Sequence, residues 1–179
     1  MRDNFRNFLY SFGAARQLLE RARSAGSLIE GIVLYVSLID GLLRIAIILD
    51  KQLQDDNGDF DFSYIEQKQT GPKYSEGQIY EEAIKRHIID VELKTKITDL
   101  YEKRNAVIHR FFLTNIRYVD LETWLGSYEE IFNQCYRKVY ELESRQLHEG
   151  KGMTTTGPRS DREKISRAIA AKLGFDLEP

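Results

Sequence analysis

The sequence predicts an all-α fold, a helical bundle of about five main helices followed by a short C-terminal helical tail. Three observations carry that expectation. Prolines (3) and glycines (12) are few among 179 residues, while Leu, Ile, Arg, Lys and Glu are abundant, a composition that favours helices over a β-sandwich. Apolar residues recur at spacings of three and four rather than in strict alternation. Residues that cap helix starts stand ahead of several of these runs. With 42% hydrophobic residues, the chain can bury one core without disulfide or metal staples.

Taken in order, Phe8, Leu9, Phe12, Ala15, Leu19 and Ala22 mark a first helix from about Phe5 to Ser24, with Asp3 or Asn4 as its cap. A long apolar helix follows, from about Ser27 to Leu53. Residues 54–74, with clustered Asp, two Gly and Pro72, read as a long loop. Ser75 with Gln78 forms a capping box that opens a helix to about Ile89. Asp90 caps the next helix, marked by Leu93, Ile97, Leu100, Tyr101, Ile108, Phe111 and Phe112. Asp120 caps a final long helix to about Leu147, marked by Leu121, Trp124, Leu125, Tyr128, Ile131, Phe132, Cys135 and Val139. Residues 150–158 have linker composition. Ser160 with Glu163 opens a short helix with Ile165, Ile169 and Leu173 on one side, whose default role is docking on the bundle or a partner. The domain division is therefore 1–149 for the helical domain and 150–179 for linker and tail.

Charge and cysteine content narrow the function classes. The formal net charge of −2 provides no global basic field for nucleic acid, so any such site is local. A lone Cys135 excludes an internal disulfide and a Cys-rich zinc module, and a reducing compartment suits it. The stretch from Leu28 to Leu49 is long enough for a membrane span but carries Glu30, Asp40 and Arg44, each expensive at bilayer depth. On a helical wheel Glu30, Ser37, Asp40, Gly41 and Arg44 fall within about 100°, which describes a central bundle helix with one special face. The first residues show neither an early apolar run nor a small-residue cleavage site. The expectation is a cytoplasmic protein without membrane contact.

The segment with chemical content is Leu100-Tyr101-Glu102-Lys103-Arg104-Asn105-Ala106-Val107-Ile108-His109-Arg110-Phe111. Arg104 sits in the apolar stripe, four residues after Leu100 and four before Ile108. A buried arginine needs a partner, and a salt bridge to Glu30 or Asp40 on the apolar helix is the structural explanation. Glu102, Asn105 and His109 share another face within about 60°, whereas Arg104 and His109 are separated by about 140°. An active site using both needs the arginine side chain to curl, a local irregularity in the helix, or an interface where two copies of the helix meet. Between Leu93 and Arg117 six basic residues (Lys94, Lys96, Lys103, Arg104, Arg110, Arg117) oppose Asp99 and Glu102, a local balance suited to an anionic ligand.

Arg104-Asn105-x3-His109, preceded by Glu102, resembles the R-x4-6-H motif of the HEPN superfamily, over roughly Leu28 to Leu147. The resemblance implies a metal-independent endoribonuclease, often homodimeric, with RNA as substrate and a toxin or defence role. An antitoxin or other regulatory protein is an implied partner, and no cofactor or metal is expected. On that mapping His109 is the acid/base, Arg104 the phosphate clamp and Asn105 a positioning residue. Glu102 would orient His109 or a neighbouring Arg, and Lys103, Arg110 and Asp40 are candidate substrate contacts. Histidine exchanges protons near neutral pH, and arginine offers a planar fork to phosphate. Where one toxin branch of the superfamily carries a tyrosine two residues after the histidine, this chain has Phe111, so regulation by nucleotide transfer to that position is not expected. A catalytically inactive nucleotide- or protein-binding module of the same type is the alternative, and a purely structural bundle is a third.

Asp55-x-Asn57-x-Asp59 followed by Glu66 has the spacing of a calcium loop, but its sixth position is Phe60 rather than the required glycine. An acidic loop is the expectation there. His87, His109 and His148 stand far apart without a Cys partner, so no zinc site is expected. Trp124, Tyr128, Phe132 and Tyr136 repeat at helical spacing and read as core or dimer packing rather than a stacking platform for bases.

Overall fold

The computed structural model describes residues 2–54, 60–65 and 74–152, with side chains from Phe5 onward. It is an all-α bundle of five helices: α1 (Arg2–Ser24), α2 (Leu28–Gln54), α3 (Glu76–Lys85), α4 (Val91–Arg110) and α5 (Tyr118–Glu149). Two 3₁₀ turns, Phe62–Tyr64 and Phe111–Leu113, complete the described elements, and no strand occurs among them.

The centre is α2, which packs against each of the other four helices. It is long and apolar enough to cross a membrane by length and composition, and here its apolar surface forms the core. Ile32, Leu43, Ala46, Ile47 and Ile48 are fully covered. The α5 helix runs parallel to α2. At one end Gly31 lies against Leu125, where an added Cβ would come within 3.0 Å of that side chain. At the other end Gln146 Nε2 donates to Leu49 O and to Gln52 Oε1, both at 3.0 Å. Tyr35 of α2 stacks on Tyr128 of α5 and meets Phe132 edge-on, so two of the four periodic aromatics of α5 are core. Antiparallel to both, α1 brings Phe12 onto Gly41, leaving an added Cβ 3.2 Å from the ring. Gly41 therefore serves close helix packing rather than a polar face.

Several helix ends differ from expectation, each for a local reason. Asp3 and Asn4 lie inside the first turn of α1, because the helix starts at Arg2. Ser75 and Gln78 form the expected capping box, and Asp90 accepts from Leu93 N as expected. At α5 the N-cap is Arg117, and Asp120 acts from the third helical position by accepting from Arg117 N. That helix runs two residues past Leu147 to Glu149. On α4 the inward stripe continues from Leu100 through Arg104 to Val107, which is buried, while Ile108 and Phe112 are exposed.

Four residues earlier than expected, α3 ends at Lys85. His87 takes a left-handed conformation (φ 56°), its N–H donates to Ile84 O, and Ile88 N–H donates to Ala83 O. That bond pair is the Schellman closure, whose left-handed residue is ordinarily glycine. His87→Gly is expected to stabilise the fold by about 0.5–1 kcal/mol, measured by denaturant unfolding.

Cys135 is buried, and burial pushes its thiol up to about 12, so it is an inert core residue. On α5 burial pushes Glu143 up to about 7, well above the ordinary carboxylate value. The unfolded chain then loses this proton near pH 4–5 while the native chain keeps it. Native stability contributed here falls as pH rises from about 4.5 to 7 and is level beyond. Glu143→Gln removes that loss. It is expected to be more stable than wild type at pH 8, on the order of 1–3 kcal/mol, and near-equal at pH 4.5.

The loop residues Asp55, Asn57, Asp59 and Glu66, the linker beyond Gly152 and the tail helix lie outside the described residues. Phe60 is described. It packs on Phe62 at 4.3 Å between ring centres and on Phe5 at 5.0 Å, an anchoring role opposite to that of a turn glycine. Among the described residues no group of three His, Cys, Asp or Glu side chains could hold a metal.

Candidate functional site

Two features meet near α4, a buried charge cluster and an exposed helix end. The cluster begins with Arg44, which is only 6% exposed and sits on an otherwise apolar helix. Its Nε donates to Asp40 Oδ2 at 2.6 Å, one turn earlier. Its two terminal nitrogens donate to backbone carbonyls, Nη1 to Tyr64 O at 2.7 Å and Nη2 to Tyr74 O at 3.0 Å. The rings of Tyr64 and Tyr74 stack at 4.8 Å with nearly parallel planes. One guanidinium therefore ties both flanks of segment 65–73 to the core helix. Tyr64 O closes its 3₁₀ turn and Tyr74 O lies outside any helix, so neither has a ladder partner, and arginine's fork satisfies both at once.

Arg104 lies beside this clamp. Its Nη2 donates to Glu76 at 2.6 Å, joining α4 to the first turn of α3. Its guanidinium also lies over the Tyr101 ring, 4.7 Å from the centre. The side chain is 18% exposed. So the ion-pair partner is Glu76, not Glu30 or Asp40. Glu30 is exposed at the start of α2, and Asp40 is held by Arg44 of its own helix. Burial raises the Asp40 carboxyl against the opposing pull of Arg44, with Glu76 and Arg104 close enough to act on it too. Its Oδ1 is buried and accepts no hydrogen bond from the described residues. Burial likewise raises the Tyr80 hydroxyl, which feels Asp40, Glu76 and Arg104. Asp40, Glu76, Tyr80 and Arg104 thus form one electrostatically coupled group where α2, α3 and α4 meet.

The remaining candidates lie elsewhere. α4 is continuous to Arg110, so no irregularity swings His109 toward Arg104. Five residues of regular helix separate them by about 7.5 Å along the axis and 140° around it. His109, Arg110 and Glu102 are exposed and Asn105 is half-buried; among the described residues Glu102 bonds to neither His109 nor an arginine. Lys103 pairs with Asp99 at 2.7 Å and lies over Trp124.

The local basic excess is largely compensated once neighbouring helices are in place. Lys94 pairs with Glu81, Lys96 with Glu92, Arg104 with Glu76 and Arg117 with Asp120. Arg110 is the one member of the six with no ion pair among the described residues. Next to His109 and Arg110 in the chain, Ile108, Phe112 (96%) and Leu113 (83%) are exposed, and so are Tyr118 and Val119 at the start of α5. Tyr118 Oη donates to Gly26 O at 2.6 Å, fixing this corner to the α1–α2 turn.

Sequence reasoning singled out Arg104, His109 and Asp40 but missed Glu76 and Tyr80. Their signal was present as two polar positions in the first turns of the capped α3, but nothing in the sequence oriented that helix toward Arg104. No family model, no curated protein and no solved structure matches this chain.

Proposed function

We propose that the chain is a metal-independent endoribonuclease of the HEPN type, whose active site is completed when two copies meet at the α4–α5 corner. The observation that carries this reading is the exposed pair His109 and Arg110, flanked in the chain by the exposed apolar side chains of Ile108, Phe112 and Leu113. A histidine displayed beside exposed apolar side chains suits an interface that brings a second α4 against the first. That arrangement answers the 140° separation, since Arg104 of one copy then works with His109 of the other.

The chemistry follows from these side chains. His109 takes the proton from a ribose 2′-OH, and the 2′-oxygen attacks the adjacent phosphorus. The bond to the 5′-oxygen breaks, that oxygen takes up a proton, and the product carries a 2′,3′-cyclic phosphate. Arg104 supports the growing negative charge on the phosphate. Only one of its N–H groups is engaged by Glu76. Arg110 adds an exposed phosphate contact, and Asn105 lies between the two faces. The nucleophile is intramolecular, so the reaction has no chemical need of a metal-activated water.

The Arg104–Glu76 bridge favours a second reading. An arginine held in a coupled cluster also fastens α3 to α4, as a binding module with no catalytic role would require. Cleavage of mixed-sequence RNA in excess EDTA separates the two. Wild type should release cyclic-phosphate ends, and His109→Ala, matched by circular dichroism, should not. Folded wild type that leaves RNA intact would favour the binding module.

A further inference from the structure

We propose that the cleft between the α3–α4 turn, the start of α4 and the second half of α5 binds a small organic phosphate, with His87 and Arg137 holding the phosphate group and Ile88, Ile89 and Leu93 receiving its apolar body. The inference is independent of the nuclease reading. From Leu93 to His109 the helix rises about 24 Å, so the cleft lies far from the exposed end of α4. Its volume is about 540 Å³, within the range of about 300–1,000 Å³ that small-molecule sites occupy.

The charges of the cleft select the ligand. Counted alone, the acids and the Lys and Arg side chains that line it balance, three against three. The acids, however, are already engaged. Asp90 accepts from Leu93 N as the α4 cap, Glu92 pairs with Lys96 at 2.7 Å, and Glu141 pairs with Lys138 at 3.1 Å. Arg137 and the His87 ring line the same cleft and have no hydrogen bond or ion pair among the described residues. What is left for a ligand is a guanidinium fork and an imidazole N–H, a donor set suited to phosphate oxygens. Ile88, Ile89 and Leu93, otherwise buried, add an apolar wall that an inorganic ion would leave unused.

The backbone at His87 is the second, independent observation. It is the one non-glycine residue with positive φ among the described residues, at a position that glycine would fill without steric cost. The closure of α3 is made by the backbone N–H groups of His87 and Ile88, so it makes no use of the imidazole. The cleft does, because that ring forms part of its wall. A strained residue whose side chain lines a cavity points to a role for that side chain in the cavity.

An NMR titration of the full chain with 1-naphthyl phosphate tests the proposal. Amides of residues 87–93 should shift and saturate with a Kd below about 1 mM, the scale for a ligand of this size. Inorganic phosphate and 1-naphthol, each lacking one half of the ligand, should bind at least about tenfold more weakly. His87→Gly and Arg137→Gln should each weaken binding by about tenfold or more, His87→Gly while stabilising the fold, a pairing of effects that a purely structural histidine would not give. Shifts centred elsewhere, or no saturation at ten times that concentration, would overturn the proposal. So would 1-naphthol binding as tightly as its phosphate, which would show an apolar groove only, or either variant binding as tightly as wild type.

Discussion

Arg44→Ala is expected to cost about 3–5 kcal/mol of folding stability, the range for removing one partner of a buried ion pair. Three groups lose their partner together. Asp40, whose buried Oδ1 has no hydrogen bond from the described residues, would lose the guanidinium that offsets its burial. Tyr64 O and Tyr74 O would lose their donor, and each buried carbonyl left unsatisfied is costly. Arg44→Lys should recover little, because an ammonium cannot serve a carboxylate and two divergent carbonyls in one plane. The paired change Arg44→Leu with Asp40→Leu should recover part of the loss, since it leaves no buried charge unpaired. Urea unfolding of the four proteins checks this. An Arg44→Ala protein within 1 kcal/mol of wild type would mean that the clamp is dispensable.

The second large effect concerns activity. His109→Ala is expected to reduce RNA cleavage by about 10²–10⁴-fold, the scale of a lost acid/base. The same change should alter stability by less than about 0.5 kcal/mol, because the residue is exposed. Arg104→Ala should reduce cleavage comparably and also cost about 1–2 kcal/mol, since Glu76 loses its partner in a partly buried setting. Glu76→Gln separates these roles. It breaks the ion pair and so carries a stability cost, but keeps Arg104 available, so cleavage per folded molecule should persist. Unfolding curves and single-turnover cleavage on the same preparations read both quantities.

The difference between these two residues explains what was legible in the sequence. Helix identity rested on periodicity and local capping, and the signals at Ser75, Gln78 and Asp90 lie within four residues of the bonds they make. Those elements were readable. The end of α3 was not, because a histidine occupies the left-handed position where glycine would have announced the stop. Val107 and Ile108 are equally apolar, and only the tilt of α4 against its neighbours decides which is buried. Arg104 was recognisable as an anomaly in an apolar stripe. Its partner was not, since Glu76 lies 28 residues away on a helix whose orientation is set by packing. The basic excess along α4 failed for the same reason: Glu76 and Glu81 come from α3 and Asp120 from beyond the counted window. Arg44 stood out as an unusual charge, yet its bonds to Tyr64 O and Tyr74 O are to backbone atoms that no residue pattern encodes.

The proposal's central claim is a site shared between two copies, and mixing inactive variants tests it most directly. Arg104→Ala and His109→Ala are each expected to be inactive alone. Mixed in equal amounts and allowed to exchange, half of the dimers are mixed. Each of these retains one site with an intact arginine from one chain and an intact histidine from the other. Cleavage should return to about one quarter of the wild-type rate, with the same cyclic-phosphate ends, by the statistics of symmetric two-fold assembly. A mixture as inactive as its components, after exchange is verified by mass, would contradict a site built from Arg104 of one copy and His109 of the other.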